Sequence, residues 1–75
     1  MRFFQKLNKA IKKNNSLLCV GLDNSSFEFN KKIIDETHDL VCAYKPDTAF
    51  YEVEGIEGLK SLKKTIEYIP QDIPI

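Results

Sequence analysis

The sequence predicts an α/β fold of βα units on a parallel sheet, and three observations carry that prediction. Two continuously apolar runs, Leu17-Leu18-Cys19-Val20 and Leu40-Val41-Cys42-Ala43-Tyr44, are too short and too evenly apolar for surface helices and read as buried strands. Segments of helical periodicity precede, separate and follow them. The order is therefore helix, strand, helix, strand, helix and the start of a strand, the alternation expected of parallel strands covered on both faces.

Each element has its own signal. Phe4, Leu7 and Ile11 recur at helical spacing beside Phe3 and Ala10, while Lys6, Lys9, Lys12 and Lys13 take other faces, so an amphipathic helix is expected over residues 2–13. Asn14-Asn15-Ser16 punctuates it, and the run from Ser16 to Leu22, closing in Gly21-Leu22-Asp23, is the first strand. Asn24-Ser25-Ser26 can cap a second helix over 27–38, in which Phe29, Ile33, Ile34 and Thr37 share a face. Leu40 to Tyr44 is the second strand, stopped by Lys45-Pro46 because proline cannot donate to a ladder. Asp47-Thr48 can cap a short turn through Ala49, Phe50, Tyr51 and Glu52, after which Gly55 lets the chain redirect. In the longest helix Ile56, Leu59, Leu62, Ile66 and Ile69 line one face, Glu57, Lys60, Lys63, Lys64 and Glu67 fill the rest, and Pro70 ends it. Gln71-Asp72 then turns the chain into Ile73-Pro74-Ile75, the opening of a third strand.

Composition narrows the class. With 75 residues, 43% apolar, 29% charged and three glycines, the chain is neither collagen-like, nor low-complexity, nor a coiled coil. A chain this short buries only about 60% of its unfolded surface, and two parallel strands leave open edges. Residues 1–75 are thus expected to be one unit, truncated from a larger α/β protein. Eleven basic and eleven acidic residues cancel, which gives no electrostatic reason for a nucleic-acid or anionic-membrane partner. No apolar run approaches the roughly 18 residues of a membrane span, and the start lacks the apolar core of a secretory signal, so a soluble, cytoplasmic chain is expected. Cys19 and Cys42 sit in apolar segments and read as reduced core residues rather than a disulfide.

Chemistry is expected at the carboxyl ends of the strands, where parallel α/β folds build their sites. Asp23 closes the first strand and Lys45 the second. If the strands are neighbours in register, both side chains face one mouth, where a carboxylate can accept hydrogen bonds from a sugar hydroxyl and an ammonium can balance an anion. Position alone leaves the alternative equally open: Asp23 as the cap of the next helix and Lys45 as a solvated cation. His38 has no metal-ligand spacing to either cysteine and suits a surface place at a helix C-terminus, and no metal is implied. Gly55-Ile56-Glu57-Gly58 lacks the glycine spacing of a nucleotide fingerprint and reads as a loop redirect. Phe50 and Tyr51 are expected to pack beneath their turn, and Lys12-Lys13 and Lys63-Lys64 to lie on solvated faces.

The segments Cys19-Val20-Gly21-Leu22-Asp23, Asp39 to Pro46, Ala49-Phe50-Tyr51-Glu52 and Gly55-Ile56-Glu57-Gly58-Leu59, in that order, resemble the amino-terminal part of orotidine 5′-phosphate decarboxylase, in its long-form bacterial and archaeal subgroup. The resemblance covers essentially all 75 residues. It implies the first two βα units and the start of strand three of a (β/α)8 TIM barrel. It also implies decarboxylation of orotidine 5′-phosphate to UMP in pyrimidine synthesis, without metal or organic cofactor, by a homodimer. Asp23 then corresponds to the aspartate that binds the substrate ribose. Lys45 corresponds to the lysine that contacts the ribose and joins the family's catalytic chain of alternating Lys and Asp. The family's Asp-x-Lys motif, which supplies the proton donor, follows on strand three, and the sequence stops at Ile75, so the chain alone is expected to be inactive. Two departures from the family stand out: the segment between Asp23 and Phe29 is short, and Asp47 stands where Asn is common. The rival expectation is a small α/β interaction module that completes its sheet by self-association or with a partner chain.

Overall fold

The computed structural model describes residues 2–75, and its elements follow from local signals. Helix α1 (Phe3–Asn14) begins where the Gln5 side-chain carbonyl accepts the Arg2 N–H at 3.3 Å. It stops at Asn15, whose φ of 47° is the left-handed conformation that asparagine tolerates at helix ends. Ser26 caps α2 (Phe27–Thr37), its hydroxyl accepting the Phe29 N–H at 3.4 Å. Asp47 caps the short α3 (Thr48–Glu52) by accepting the Ala49 N–H at 3.1 Å. Gly55, at φ 63°, redirects the chain into α4 (Gly55–Tyr68).

The two strands, β1 (Cys19–Gly21) and β2 (Ala43–Lys45), pair in parallel with Cys19 opposite Ala43, Val20 opposite Tyr44 and Gly21 opposite Lys45. They are shorter than the apolar runs suggest, yet the ladder continues past both ends: Cys42 N–H donates to the Leu18 carbonyl at 2.9 Å and Leu22 N–H to the Lys45 carbonyl at 3.2 Å. On the far edge of β2, the Tyr44 N–H donates to the Pro74 carbonyl at 3.0 Å, with Ile73 and Pro74 buried. Ile73-Pro74-Ile75 thus runs beside β2 without being a regular strand, one ladder bond being too few to define it. The Asn14 amide, at the end of α1, donates to the carbonyls of His38 at 3.1 Å and Val41 at 2.8 Å, which fixes α1 to the entry of β2 and away from the carboxyl ends of the strands.

The core is Leu22, Ile34, Val41, Tyr44, Ile69 and Ile73, with Val20 and Ile33 against it. Side chains alternate along a strand, so Val20, Leu22 and Tyr44 meet the helices, while Cys19, Gly21 and Lys45 stay exposed on the opposite face. Among the described residues the helices therefore cover one face of the sheet, not both. Cys42 is buried as expected, but Cys19 is exposed because it lies on the open face; both thiols are free. Leu17 and Leu40 flank the paired segments and are exposed as well.

The largest departure from the sequence pattern is in α4. Its buried residues are Gly58, Ser61 and Thr65, whereas Ile56, Leu59 and Ile66 of the apolar stripe are exposed, and of that stripe only Ile69, just past the helix, enters the core. Close approach is the reason. A Cβ added at Gly58 would lie 1.7 Å from the Tyr51 carbonyl oxygen, so α3 rests directly on the α4 backbone at a place only glycine permits. Small side chains on the same face let α2 come near.

Candidate active site at the strand ends

Asp23 and Lys45 are brought to one place by the register. Lys45 is opposite Gly21, and Asp23 follows two residues on, so both emerge at the carboxyl end of the sheet on its open face. The Leu22 N–H to Lys45 carbonyl bond ties the two strand ends together. Gly21 leaves room beside the Asp23 carboxylate: a Cβ there would be 3.2 Å from its Oδ2. Both side chains are exposed. Together they offer a hydrogen-bond acceptor and a cation to one solute, the combination a sugar bearing an anionic group would use.

Among the described residues neither side chain is spent on local structure. The N-cap of α2 is Ser26, and the tight turn before it is held by Asn24, whose side-chain carbonyl accepts the Ser26 N–H at 2.8 Å. Asp23 is therefore not the cap. The ion pairs join Lys13 to Asp72, Lys60 to Glu57 and Lys63 to Glu67, and among the described residues Lys45 enters none of them.

Behind Asp23 lies a buried polar cluster that sequence reasoning missed. The Tyr51 hydroxyl donates to the Leu22 carbonyl at 2.5 Å and accepts from the Asn30 amide at 3.0 Å. The same Asn30 amide donates to the Asn24 carbonyl at 2.8 Å and also lies 3.3 Å from the Thr65 hydroxyl, one of its two hydrogens being shared between acceptors, and Thr65 donates to the Ser61 carbonyl at 2.8 Å. Tyr51, Asn30 and Thr65 are fully buried. Burial pushes the Tyr51 phenol above its usual range; the Asn30 hydrogen bond opposes this, the Asp23 charge reinforces it and the Thr65 bond opposes it again. The phenol is thus held neutral, as a donor to the Leu22 carbonyl must be. Tyr44 is raised for the same first reason, burial, against its hydrogen bond with Thr37 and with a further push from Asp39. The one signal available in the sequence was Asn30, a polar residue one turn before the apolar Ile33-Ile34 of the same helix.

The remaining sites behave as surface or packing groups. His38 is exposed just past α2, Phe50 is exposed and Tyr51 packs under the turn. Among the described residues, no group of three His, Cys, Asp or Glu side chains is placed to hold a metal ion, and no helix is long and apolar enough to cross a membrane. A cavity lined by Lys6, Ile66, Ile69, Pro70, Ile73 and Ile75 includes neither Asp23 nor Lys45.

No family model matches the chain. Curated relatives do. The chain is 48% identical over 84 aligned positions to the orotidine 5′-phosphate decarboxylase of Flavobacterium johnsoniae, covering 93% of this chain and 31% of that protein. It is 46% identical over 90 positions to that of Cellvibrio japonicus, covering 99% and 32%. Among solved structures, the Leishmania donovani OMP decarboxylase superposes with a TM-score of 0.88 at 39% identity, covering 99% of this chain and 31% of that one. The chain spans about 30% of the length of these relatives. An alignment of 90 positions for a 75-residue chain means that the Cellvibrio japonicus protein carries residues this chain lacks, in keeping with a shortened segment. The resemblance drawn from the residues is borne out, and these neighbours do not favour the interaction module.

Proposed function

We propose, from a match along nearly all of its length to orotidine 5′-phosphate decarboxylases, that this chain is the part of such an enzyme that supplies Asp23 and Lys45. In this reading residues 1–75 contribute the first two βα units and the lead-in to the third strand of a (β/α)8 barrel, whose interior is the open face of the sheet. The observation that supports it is that Lys45, opposite Gly21, and Asp23, two residues beyond Gly21, lie at the same end of that face, and among the described residues neither side chain enters a hydrogen bond or an ion pair. The substrate is orotidine 5′-phosphate and the product UMP. The enzyme is a cytoplasmic homodimer that uses no metal or organic cofactor.

Each residue then has a task. Asp23 accepts a hydrogen bond from a ribose hydroxyl and fixes the sugar. Lys45 contacts the same sugar and holds a neighbouring carboxylate in place, so that the charges around the pyrimidine are set before the reaction begins. The bond from the ring carbon to the carboxylate breaks, carbon dioxide leaves, and the electron pair remains on the ring carbon as a carbanion. A lysine from the family's Asp-x-Lys motif, outside this sequence, delivers the proton that completes UMP. The test is to replace the matching segment of the Flavobacterium johnsoniae enzyme with this chain and follow carbon dioxide release from orotidine 5′-phosphate. Turnover well above the uncatalysed background is expected. A folded hybrid without turnover would refute the proposal.

A further inference from the structure

We infer that Tyr51 and Asn30 are positioning residues that clamp the backbone on both sides of Asp23 and so set where its carboxylate meets the substrate. The inference rests on the decarboxylase reading for its consequence, though not for its geometry. Asp23 follows a strand only three residues long and precedes a loop whose capping bonds begin at Asn24, and among the described residues its own side chain makes no hydrogen bond or ion pair. Its backbone neighbours are fixed instead. The Tyr51 hydroxyl holds the Leu22 carbonyl at 2.5 Å, one residue before Asp23, and the Asn30 amide holds the Asn24 carbonyl at 2.8 Å, one residue after. The two clamping groups also hydrogen-bond each other at 3.0 Å, and Thr65 of α4 steadies the amide at 3.3 Å. Three elements, α2, α3 and α4, thereby converge on a single aspartate. All three side chains are completely buried, so they act through the backbone and touch no substrate.

The geometry gives this clamp a selective signature. A carboxylate that contacts the ribose in both ground and transition states affects substrate binding as well as rate. Loosening it should therefore raise KM, whereas general destabilisation should leave the kinetics of the folded enzyme alone. Tyr44 supplies the control: its hydroxyl is also buried and hydrogen-bonded, to Thr37 at 2.7 Å, but it does not hold a residue next to Asp23.

The experiment uses the hybrid enzyme with Tyr51→Phe, Asn30→Leu, the double variant and Tyr44→Phe. Tyr51→Phe removes one oxygen and is expected to raise KM for orotidine 5′-phosphate about five- to tenfold, with a smaller fall in kcat, in keeping with the loss of one buried hydrogen bond. Asn30→Leu should do the same, and the double variant should fall short of the product of the two effects because the residues share one device. In parallel, hydrogen–deuterium exchange at the Leu22 and Ser26 amides, whose bonds bracket Asp23, should quicken several-fold in Tyr51→Phe and stay parental in Tyr44→Phe. Unchanged KM in a folded, active Tyr51→Phe enzyme would overturn the clamp, as would a Tyr44→Phe variant that shifts KM equally. If the parental hybrid has no turnover, the decarboxylase reading fails by itself, and the exchange measurement decides the clamp: faster exchange upholds it and parental exchange overturns it.

Discussion

Gly58→Ala should destabilise the chain strongly, against the preference of helices for alanine. On helix propensity alone the substitution would stabilise an interior position of α4 by about 1 kcal/mol. The structure opposes this. The new Cβ would lie 1.7 Å from the Tyr51 carbonyl oxygen and 2.7 Å from its carbon, where ordinary contact begins near 3.4 Å, and both atoms are backbone and cannot rotate away. Separating α3 from α4 costs about 1–3 kcal/mol, the usual range for overpacking. Tyr51 moves with α3, so its hydroxyl leaves the buried Leu22 carbonyl unpaired, adding about 1–3 kcal/mol. After the propensity gain, a net loss of about 1–5 kcal/mol remains. Urea denaturation followed by circular dichroism measures the difference, with Gly55→Ala as the internal comparison. Gly55 sits at φ 63° in open space, so its substitution carries only left-handed backbone strain, about 1–2 kcal/mol. Gly58→Ala at or above parental stability would refute the close packing of α3 on α4.

Other consequences are open to direct measurement. Asp72 titrates below the usual carboxylate range, chiefly through its hydrogen bond with Lys13, so its contribution is present above the unfolded value and lost as pH falls through the folded one. Because the pair is exposed, that contribution should be below about 1 kcal/mol, weaken in high salt and vanish in Asp72→Asn, as acid denaturation at two ionic strengths will register. Tyr44 and Tyr51 are both raised above 10.0 by burial, so the stability they confer is complete below that value and declines as pH rises from it; alkaline unfolding monitored by tyrosinate absorbance should be cooperative rather than gradual. Cys19 should be alkylated by a thiol reagent in the folded chain while Cys42 is protected, and equal labelling under native conditions would contradict the one-sided sheet.

What could be read from the sequence was what depends on local chemistry. Capping by Ser26 and Asp47, the turn at Gly55 and the stop at Pro70 are decided by one or two side chains, and each element appears within a few residues of its expected place. That Asp23 and Lys45 share one end of the sheet was legible because strand ends of parallel folds present side chains by topology, and the register sets Lys45 opposite Gly21, two residues before Asp23. The face of α4 was not legible. Periodicity finds the apolar stripe, but the stripe that packs here is Gly58-Ser61-Thr65, selected by how near α3 and α2 approach. Nor was the cluster behind Asp23, because Asn30, Tyr51 and Thr65 are distant in sequence and meet only through the packing of three helices.

Steady-state kinetics of Lys45→Ala and Asp23→Ala in the hybrid enzyme, with folding verified by circular dichroism, separate a working strand-end pair from a solvated one. On the proposed reading Lys45 is a fixed charge that contacts the sugar and holds a neighbouring carboxylate in place, so kcat in its absence should fall about 10²–10³-fold, as for other preorganised electrostatic groups. On the same reading Asp23 makes a charge-assisted hydrogen bond of about 1.5–3 kcal/mol to the ribose before and during the reaction, so in Asp23→Ala KM should rise while kcat falls. Near-parental kcat/KM in both variants would mean that the strand-end pair is solvated surface, and that the chain shares the fold of the decarboxylases without this part of their chemistry.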